Sequence, residues 1–583
     1  MSHRIQNLLL AFVVAIVVVG SGALEDWFGR YYYGSDGVAY LDMSKAISRG
    51  DWTLALNPYW SIGYPTILSA TRWMFSSDFR GEWIAVHVVN LMIFVATYVS
   101  FLYFLKVATI YATKVYGAEP ADNGNGWNGF VFVIGTSLFL LLQLLVRDVS
   151  RIGPDLSVGC VFFLVMAISL QFCLRPQATT AVFMGVLMGF GYILKAILLP
   201  ISAAVFLTVL LHSVTRLRAE RLPATFKLAW ALPAMALVAV PYIAAMSTVL
   251  GTFTLGEAGS LNYAWNVNDL PHWDHWQGGP APFGTPIHPT QLLLKNPPVF
   301  GFAEPFHVTY PPWFNSFYWY EGYHRYFNIR NQISNMKSNL SLMQELYFGG
   351  PRALAAFLLF IIGLLFLKNR RIWWNRLIAL WPLYLPSIAA ICIYLMVFIE
   401  ARYLVGFLTI LFTTLLLPFF VPTLLFPKRV GYALAILIAV GSAMIIPENQ
   451  KELIRRIIRH EPYANQEQWR VGLYLAESGF RAGDKVASVK VGNGALCSWA
   501  YMDGLQIVAE IGNDAFDPKD QEKDFELFNH SPEVQQTVLD LFRQAGAVLV
   551  VVFDVDGAPQ GPGWERIPGT QSWVHLLNGN TRT

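Results

Sequence analysis

A small set of charged residues marks the ends of apolar stretches in this chain. Asp36 follows the first apolar run. Arg147, Arg151 and Asp155 share the segment RDVSRIGPD, Lys195 separates two further runs, and Glu400-Ala401-Arg402-Tyr403 opens another. Charge at the end of a membrane helix is costly to keep, so such residues are functional candidates by default. A carboxylate at the membrane–water boundary can take a proton from a hydroxyl nucleophile, which is the work open to Asp36. Lys195 and Arg402, followed by Arg147 and Arg151, can stabilise an anionic oxygen as its charge grows. Asp155, Glu400 and Tyr403 would support them. Each has a plainer alternative: Asp36 as a helix cap, the basic residues as lipid-headgroup anchors, Asp155 as an ordering residue of its turn.

Two stretches could position these groups. In RYYYGSDGVAYLDMSKAISRGDWTLALNPYWSIGYPT, residues 30–66, Ala39, Tyr40, Met43, Ala46 and Ile47 recur at helical spacing. The stripe predicts a helix lying along a membrane surface. Gly50-Asp51 ends it, and the turns around Asn57-Pro58 and Gly63-Tyr64-Pro65 bring Trp60 and Tyr64 to headgroup level, where they are candidates to contact a sugar or acceptor. The second stretch, 251–350, is rich in Trp, Tyr, Pro and Gly. Its Trp273, Trp276, Trp313, Trp319 and Tyr320 offer flat apolar faces that suit pyranose rings, or equally suit anchoring at the interface. His272, Asp274 and His275 match no strong ligand spacing, so no metal site is expected from them.

The 583 residues are 55% hydrophobic and 14% charged, with a mean hydropathy of +0.43. Soluble domains carry about 25% charged residues, so this composition describes a membrane protein. A net charge of +3 without a basic run gives no reason to expect nucleic acid. Cys160, Cys173, Cys392 and Cys497 are too scattered for a disulfide framework. Apolar runs predict about eleven transmembrane helices, near 7–24, 83–106, 129–146, 156–174, 179–194, 196–212, 228–250, 351–367, 377–397, 403–426 and 430–446. The first could pass for a signal peptide and is taken as a retained span. Lys and Arg of the short loops then fall on one side, which places the N-terminus in the cytoplasm. Outer loops 25–82 and 251–350 and a tail, 447–583, fall outside. The fold expected is a polytopic α-helical membrane domain over 1–446 followed by an extracytoplasmic α/β domain. In the tail, KVASVKV, LQIVAEI and AVLVVVF read as strands and SPEVQQTVLDLFRQAG as a helix, giving a partly parallel sheet.

An Asp after the first span, an amphipathic helix, then Gly-Asp-Trp and a Tyr-Trp…Tyr-Pro turn resemble the first outer loop of bacterial GT-C glycosyltransferases, the superfamily of protein O-mannosyltransferases and aminoarabinose transferases. Pro154-Asp155, the helix end GFGYILK closing on Lys195, and Glu400-Ala401-Arg402-Tyr403 resemble further landmarks of that family in order. The resemblance covers most of residues 1–446. It implies a reaction centre at Asp36 and inverting sugar transfer from a polyprenyl-phosphate donor to an acceptor hydroxyl of a lipid, glycan or protein. No organic cofactor is implied, and a divalent cation stays open. Many relatives carry Asp-Glu where this chain has Asp36-Gly37. The setting implied is the bacterial inner membrane, among membrane lipids. The competing reading is a secondary transporter or flippase of a polar or lipid-linked substrate. That would favour polar residues near the bilayer midplane on broken helices, whereas here charge gathers at one face.

Overall fold

The computed structural model describes residues 3–72, 79–117, 129–146, 148–215, 218–348, 370–421, 455, 458–459, 466–489, 497–511, 527–553, 559 and 561–577. Helices occupy the expected apolar runs, except for 351–367 and 430–446, which lie outside the described residues. Gly81–Val115, Asp155–Leu174, Arg221–Leu250 and Ala401–Phe420 are each long and apolar enough to cross a membrane. Ala178–Leu194 and Leu198–Val214 are shorter apolar helices, and Arg370–Ala379 meets Trp381–Val397 at a 71° bend. The chain is therefore a multi-pass membrane protein carrying a soluble sheet. Buried aromatic rings tie the helices together: Phe101 stacks on Phe139 at 5.3 Å and meets Phe163 edge-on at 5.3 Å.

Among the described residues the soluble part holds one seven-stranded sheet in the order β1-β2-β4-β3-β5-β7-β6. The three strands foreseen in the tail are β3 (Lys485–Val489), β4 (Gln506–Ile511) and β5 (Leu549–Val552), with β3 parallel to both neighbours. The foreseen helix is Pro532–Gln544, capped by the Ser531 side chain accepting from the Val534 amide. β6 (Trp564–Arg566) and β7 (Trp573–Leu576) close one edge. At the other edge the chain adds what its hydrophobic pattern did not announce. β1 (Gln291–Lys295) and β2 (Pro298–Gly301) come from the aromatic outer stretch, and β2 pairs antiparallel with β4 through Val299 and Ile511. Residues of the 251–350 stretch and of the tail thus build one sheet.

The central strands are covered on both faces, as buried strands rich in Val and Ile require. Ala487, Val508 and Val550 pack toward Val538 and Phe542 of helix Pro532–Gln544. Val486, Ile507 and Val551 pack on the opposite face in a core shared with Val471, Trp499 and the Asp36 helix, Gly34–Arg49. That sharing gives the helix expected at the membrane surface a protein partner. Residues from Gly37 to Ser44 are buried without a break, so protein covers both the apolar stripe and the sides flanking it. Among them the Asp42 carboxylate is paired by protein, while the Ser44 hydroxyl is buried without a hydrogen-bond partner among the described residues. Asp42 accepts from the Thr309 amide at 2.9 Å and its hydroxyl at 3.1 Å, and Lys45 sits 3.3 Å from the centre of the Tyr501 ring.

Candidate active site

Four chain segments bring their ends to one place. Asp36 occupies the first turn of helix Gly34–Arg49. Asp155 is the first residue of helix Asp155–Leu174, where a carboxylate favours the positive end of the helix dipole. Lys195 takes an extended conformation (φ −158°, ψ 123°) that stops helix Ala178–Leu194 and turns its side chain back toward Asp155. Arg402 is the second residue of helix Ala401–Phe420, after the extended residues Phe398 and Glu400. Close approach makes the convergence feasible. A Cβ at Gly63 would stand 2.9 Å from the Ile193 carbonyl oxygen, so only glycine lets helix Gly63–Thr71 meet the chain just ahead of Lys195.

Arg402 is the hub. Its guanidinium lies 3.0 Å from Asp36 Oδ2, 2.8 Å from Glu400 Oε2 and 3.5 Å from Asp155 Oδ2. Lys195 Nζ donates to Asp155 Oδ1 at 2.6 Å and rests 3.8 Å from the centre of the Tyr403 ring. Trp313 Nε1 donates to Asp36 Oδ1 at 3.1 Å. Each Asp36 oxygen therefore accepts one hydrogen bond while the side chain stays 28% exposed, against 4% for Asp155 and 10% for Arg402. Asp36, like Glu400 at 34% exposed, can therefore meet a hydroxyl, whereas Asp155 is enclosed by its two cations.

Other sequence candidates fall elsewhere. Arg147 lies outside the described residues. Arg151 sets its guanidinium 5.5 Å from the Tyr32 ring. Trp60 packs behind Trp313, donating from Nε1 to the Trp313 carbonyl at 3.2 Å. Tyr64 is fully buried and donates to Asn90 at 2.7 Å. Trp319 and Tyr320 are interior residues of the soluble lobe. Trp319 donates to the Pro311 carbonyl at 2.9 Å, and the Tyr320 hydroxyl sits 2.7 Å from the Pro271 and Trp273 carbonyls. Packing has used their faces, so they offer no open platform. Among the described residues no group of three or more His, Cys, Asp and Glu is placed to hold a metal ion.

Several contributors had no usable sequence signal. Asp148, on the turn before Asp155, is buried, and burial followed by the neighbouring Asp155 charge pushes its pKa up to about 7. His272 stacks on Trp265 at 3.9 Å, and burial lowers its pKa. Gln332, Asn335 and Asn339, recurring on one face of helix Ile329–Phe348, donate to the Leu395, Met396 and Val397 carbonyls at 2.6–3.0 Å. They satisfy the open end of helix Trp381–Val397 and so fix the extended link leading to Arg402. The i, i+3, i+7 amide spacing was visible, but its partner was not. The departure at Gly37 also has a cause: a Cβ there would stand 2.9 Å from the Ile152 Cβ. A second carboxylate would need the Asp155 turn to move.

Apolar helices bring their charged ends together beside a soluble lobe, an architecture this chain shares with a solved membrane protein. No family model matches it, and no curated protein matches it in sequence. Among solved structures, ArnT from Cupriavidus metallidurans bound to undecaprenyl phosphate is similar with a TM-score of 0.52 and 11% identity, covering 100% of this chain and 99% of that one. An oligosaccharyltransferase from Archaeoglobus fulgidus, solved with zinc and sulfate, gives 0.47 at 12% identity over 93% of this chain and 68% of that one.

Proposed function

We propose that the protein is a membrane glycosyltransferase, moving a sugar from a polyprenyl-phosphate donor to an acceptor hydroxyl with Asp36 as general base. The face is extracytoplasmic, and the membrane is the bacterial inner membrane. One observation carries the reading: Asp36, Asp155, Lys195 and Arg402 meet in one ion-paired cluster at helix ends, with the 3.0 Å Asp36–Arg402 contact at its exposed side. The likeness to a structure holding undecaprenyl phosphate agrees with it.

The chemistry follows from that contact. As the acceptor oxygen bonds to the anomeric carbon, its proton passes to Asp36. The bond from that carbon to the phosphate oxygen breaks on the opposite face, which inverts the centre. The departing polyprenyl phosphate gains charge, and Arg402 and Lys195 stabilise it. Asp36, Asp155 and Glu400 against Lys195 and Arg402 leave the cluster at −1. An arriving phosphate therefore competes with carboxylates for Arg402. Drawing the guanidinium from Asp36 leaves its Oδ2 open to the acceptor hydroxyl as the donor binds. A transporter would instead hold its polar groups at mid-membrane, and this cluster sits on the first or last turns of its helices.

Purified protein incubated with undecaprenyl-phosphate-linked hexoses and pentoses is expected to release undecaprenyl phosphate in the presence of acceptor lipids and glycans. Asp36→Asn keeps the size and should lower single-turnover transfer by ~10²-fold or more with unchanged folding. Transfer by Asp36→Asn at the wild-type rate would sink the assignment of the base.

A further inference from the structure

We infer that Trp313 is a positioning residue for the base, holding the Asp36 carboxylate through its indole N–H, and that the outer lobe is built to keep this indole still. The inference rests on the reading of Asp36 given above. Indole N–H is a donor only, and here it points at Asp36 Oδ1 at 3.1 Å. The opposite oxygen is taken by Arg402. With both oxygens engaged, rotation of the carboxylate about its Cβ–Cγ bond is opposed, and a second lone pair on each oxygen stays open to a hydroxyl.

The immobilisation of Trp313 is over-determined. Its ring lies nearly parallel to His272 at 5.7 Å and to Trp265 at 6.4 Å, with interplanar angles of 24° and 8°. Trp60 and Tyr59 meet it edge-on at 6.0 and 6.2 Å. Its backbone is fixed from the segment that also carries Asp36. Asp42 takes two hydrogen bonds from Thr309, Asn57 donates to the Phe314 carbonyl at 2.6 Å, and Trp60 Nε1 donates to the Trp313 carbonyl. Residues 309–314 are thus fastened to residues 36–60 at each end, and Trp313 lies between the fastenings. A sugar platform would have no need of an N–H aimed at a carboxylate. Positioning needs that N–H, and a rigid mounting lets it act without reorganisation at the moment of reaction.

The test separates the ring face from the N–H. Trp313→Phe keeps an aromatic ring and loses the donor. Single-turnover transfer from undecaprenyl-phosphate-linked sugar should fall by about tenfold, as for one hydrogen bond to a charged group. The donor KM should stay within about twofold. The variant lacks a donor to the charged carboxylate, so the acid limb of the kcat/KM–pH profile should move to higher pH. Thr309→Val is near-isosteric and loosens the mounting from its far end. It should move the acid limb the same way by less, and it decides the matter if Trp313→Phe does not fold. A raised KM with unchanged kcat and acid limb would show a sugar platform and overturn the inference. So would unchanged profiles in both variants. Asp36→Asn distinguishes the two levels: if it retains activity, the base assignment has failed. If it is inactive while Trp313→Phe and Thr309→Val keep the wild-type profile, only the positioning role has failed.

Discussion

Replacing Arg402 by glutamine should lower stability and rate together, in a ratio the structure allows to be worked out. Arg402 is 10% exposed and faces three carboxylates. Removing one partner of a buried ion pair costs ~3–5 kcal/mol, whereas exposed pairs are worth ~0–1 kcal/mol. Asp155 is the buried one, but it keeps Lys195 at 2.6 Å, so about half of that cost, ~2 kcal/mol, is expected there. Asp36 and Glu400 are near one-third exposed, and solvent screening limits each to ~0.5 kcal/mol. The sum is about 3 kcal/mol of lost stability. Lysine restores the charge without the planar fork, so Arg402→Lys should lose only ~1 kcal/mol. On the rate, a contact that strengthens as the leaving phosphate gains charge is worth ~2–4 kcal/mol, or ~30–1000-fold, to Arg402→Gln. Arg402→Lys should fall between that variant and wild type. Melting curves in detergent alongside single-turnover rates measure both. If Arg402→Gln melts with the wild type, the ion cluster holds nothing together. If Arg402→Lys transfers at the full rate, the planar fork of Arg402 plays no part in stabilising the phosphate.

Two further outcomes are expected. Asp148 is buried with its pKa raised to about 7, above the unfolded value, so its ionisation weakens the fold increasingly as pH climbs from about 4 to about 7. Asp148→Asn should therefore raise the unfolding free energy more at pH 8 than at pH 5, by ~2–3 kcal/mol, and an equal effect at both values would refute the burial argument. Ending the chain after residue 446 removes β4 from beside β2 and Tyr501 from beside Lys45. Limited proteolysis should then cut within 251–350 while the intact protein resists, and equal resistance would show that the outer stretch folds without the tail.

The sequence by itself determined the membrane character, the candidate spans and the tail's strands, because each rests on a local signal. A run of apolar residues long enough to cross a bilayer, or a short Val- and Ile-rich segment bounded by turns, carries its own address. It also selected Asp36, Asp155, Lys195 and Arg402, since charge at the end of an apolar helix stands out in a chain that is 14% charged. Tertiary structure alone decided which of these touch. The 3.0 Å contact between Asp36 and Arg402 joins residues 366 apart in sequence, and no periodicity encodes such a distance. It also decided the fate of the aromatics. Trp313 and Trp319 are alike in type and six residues apart, yet one indole N–H meets the Asp36 carboxylate and the other a backbone carbonyl. Turn geometry and packing set that difference. The joining of β2 to β4 was hidden for a related reason. A four-residue strand containing Pro298 and Gly301 has little intrinsic preference for a sheet. It becomes a strand because Val299 and Phe300 find buried places against β4 and the two cores that flank it.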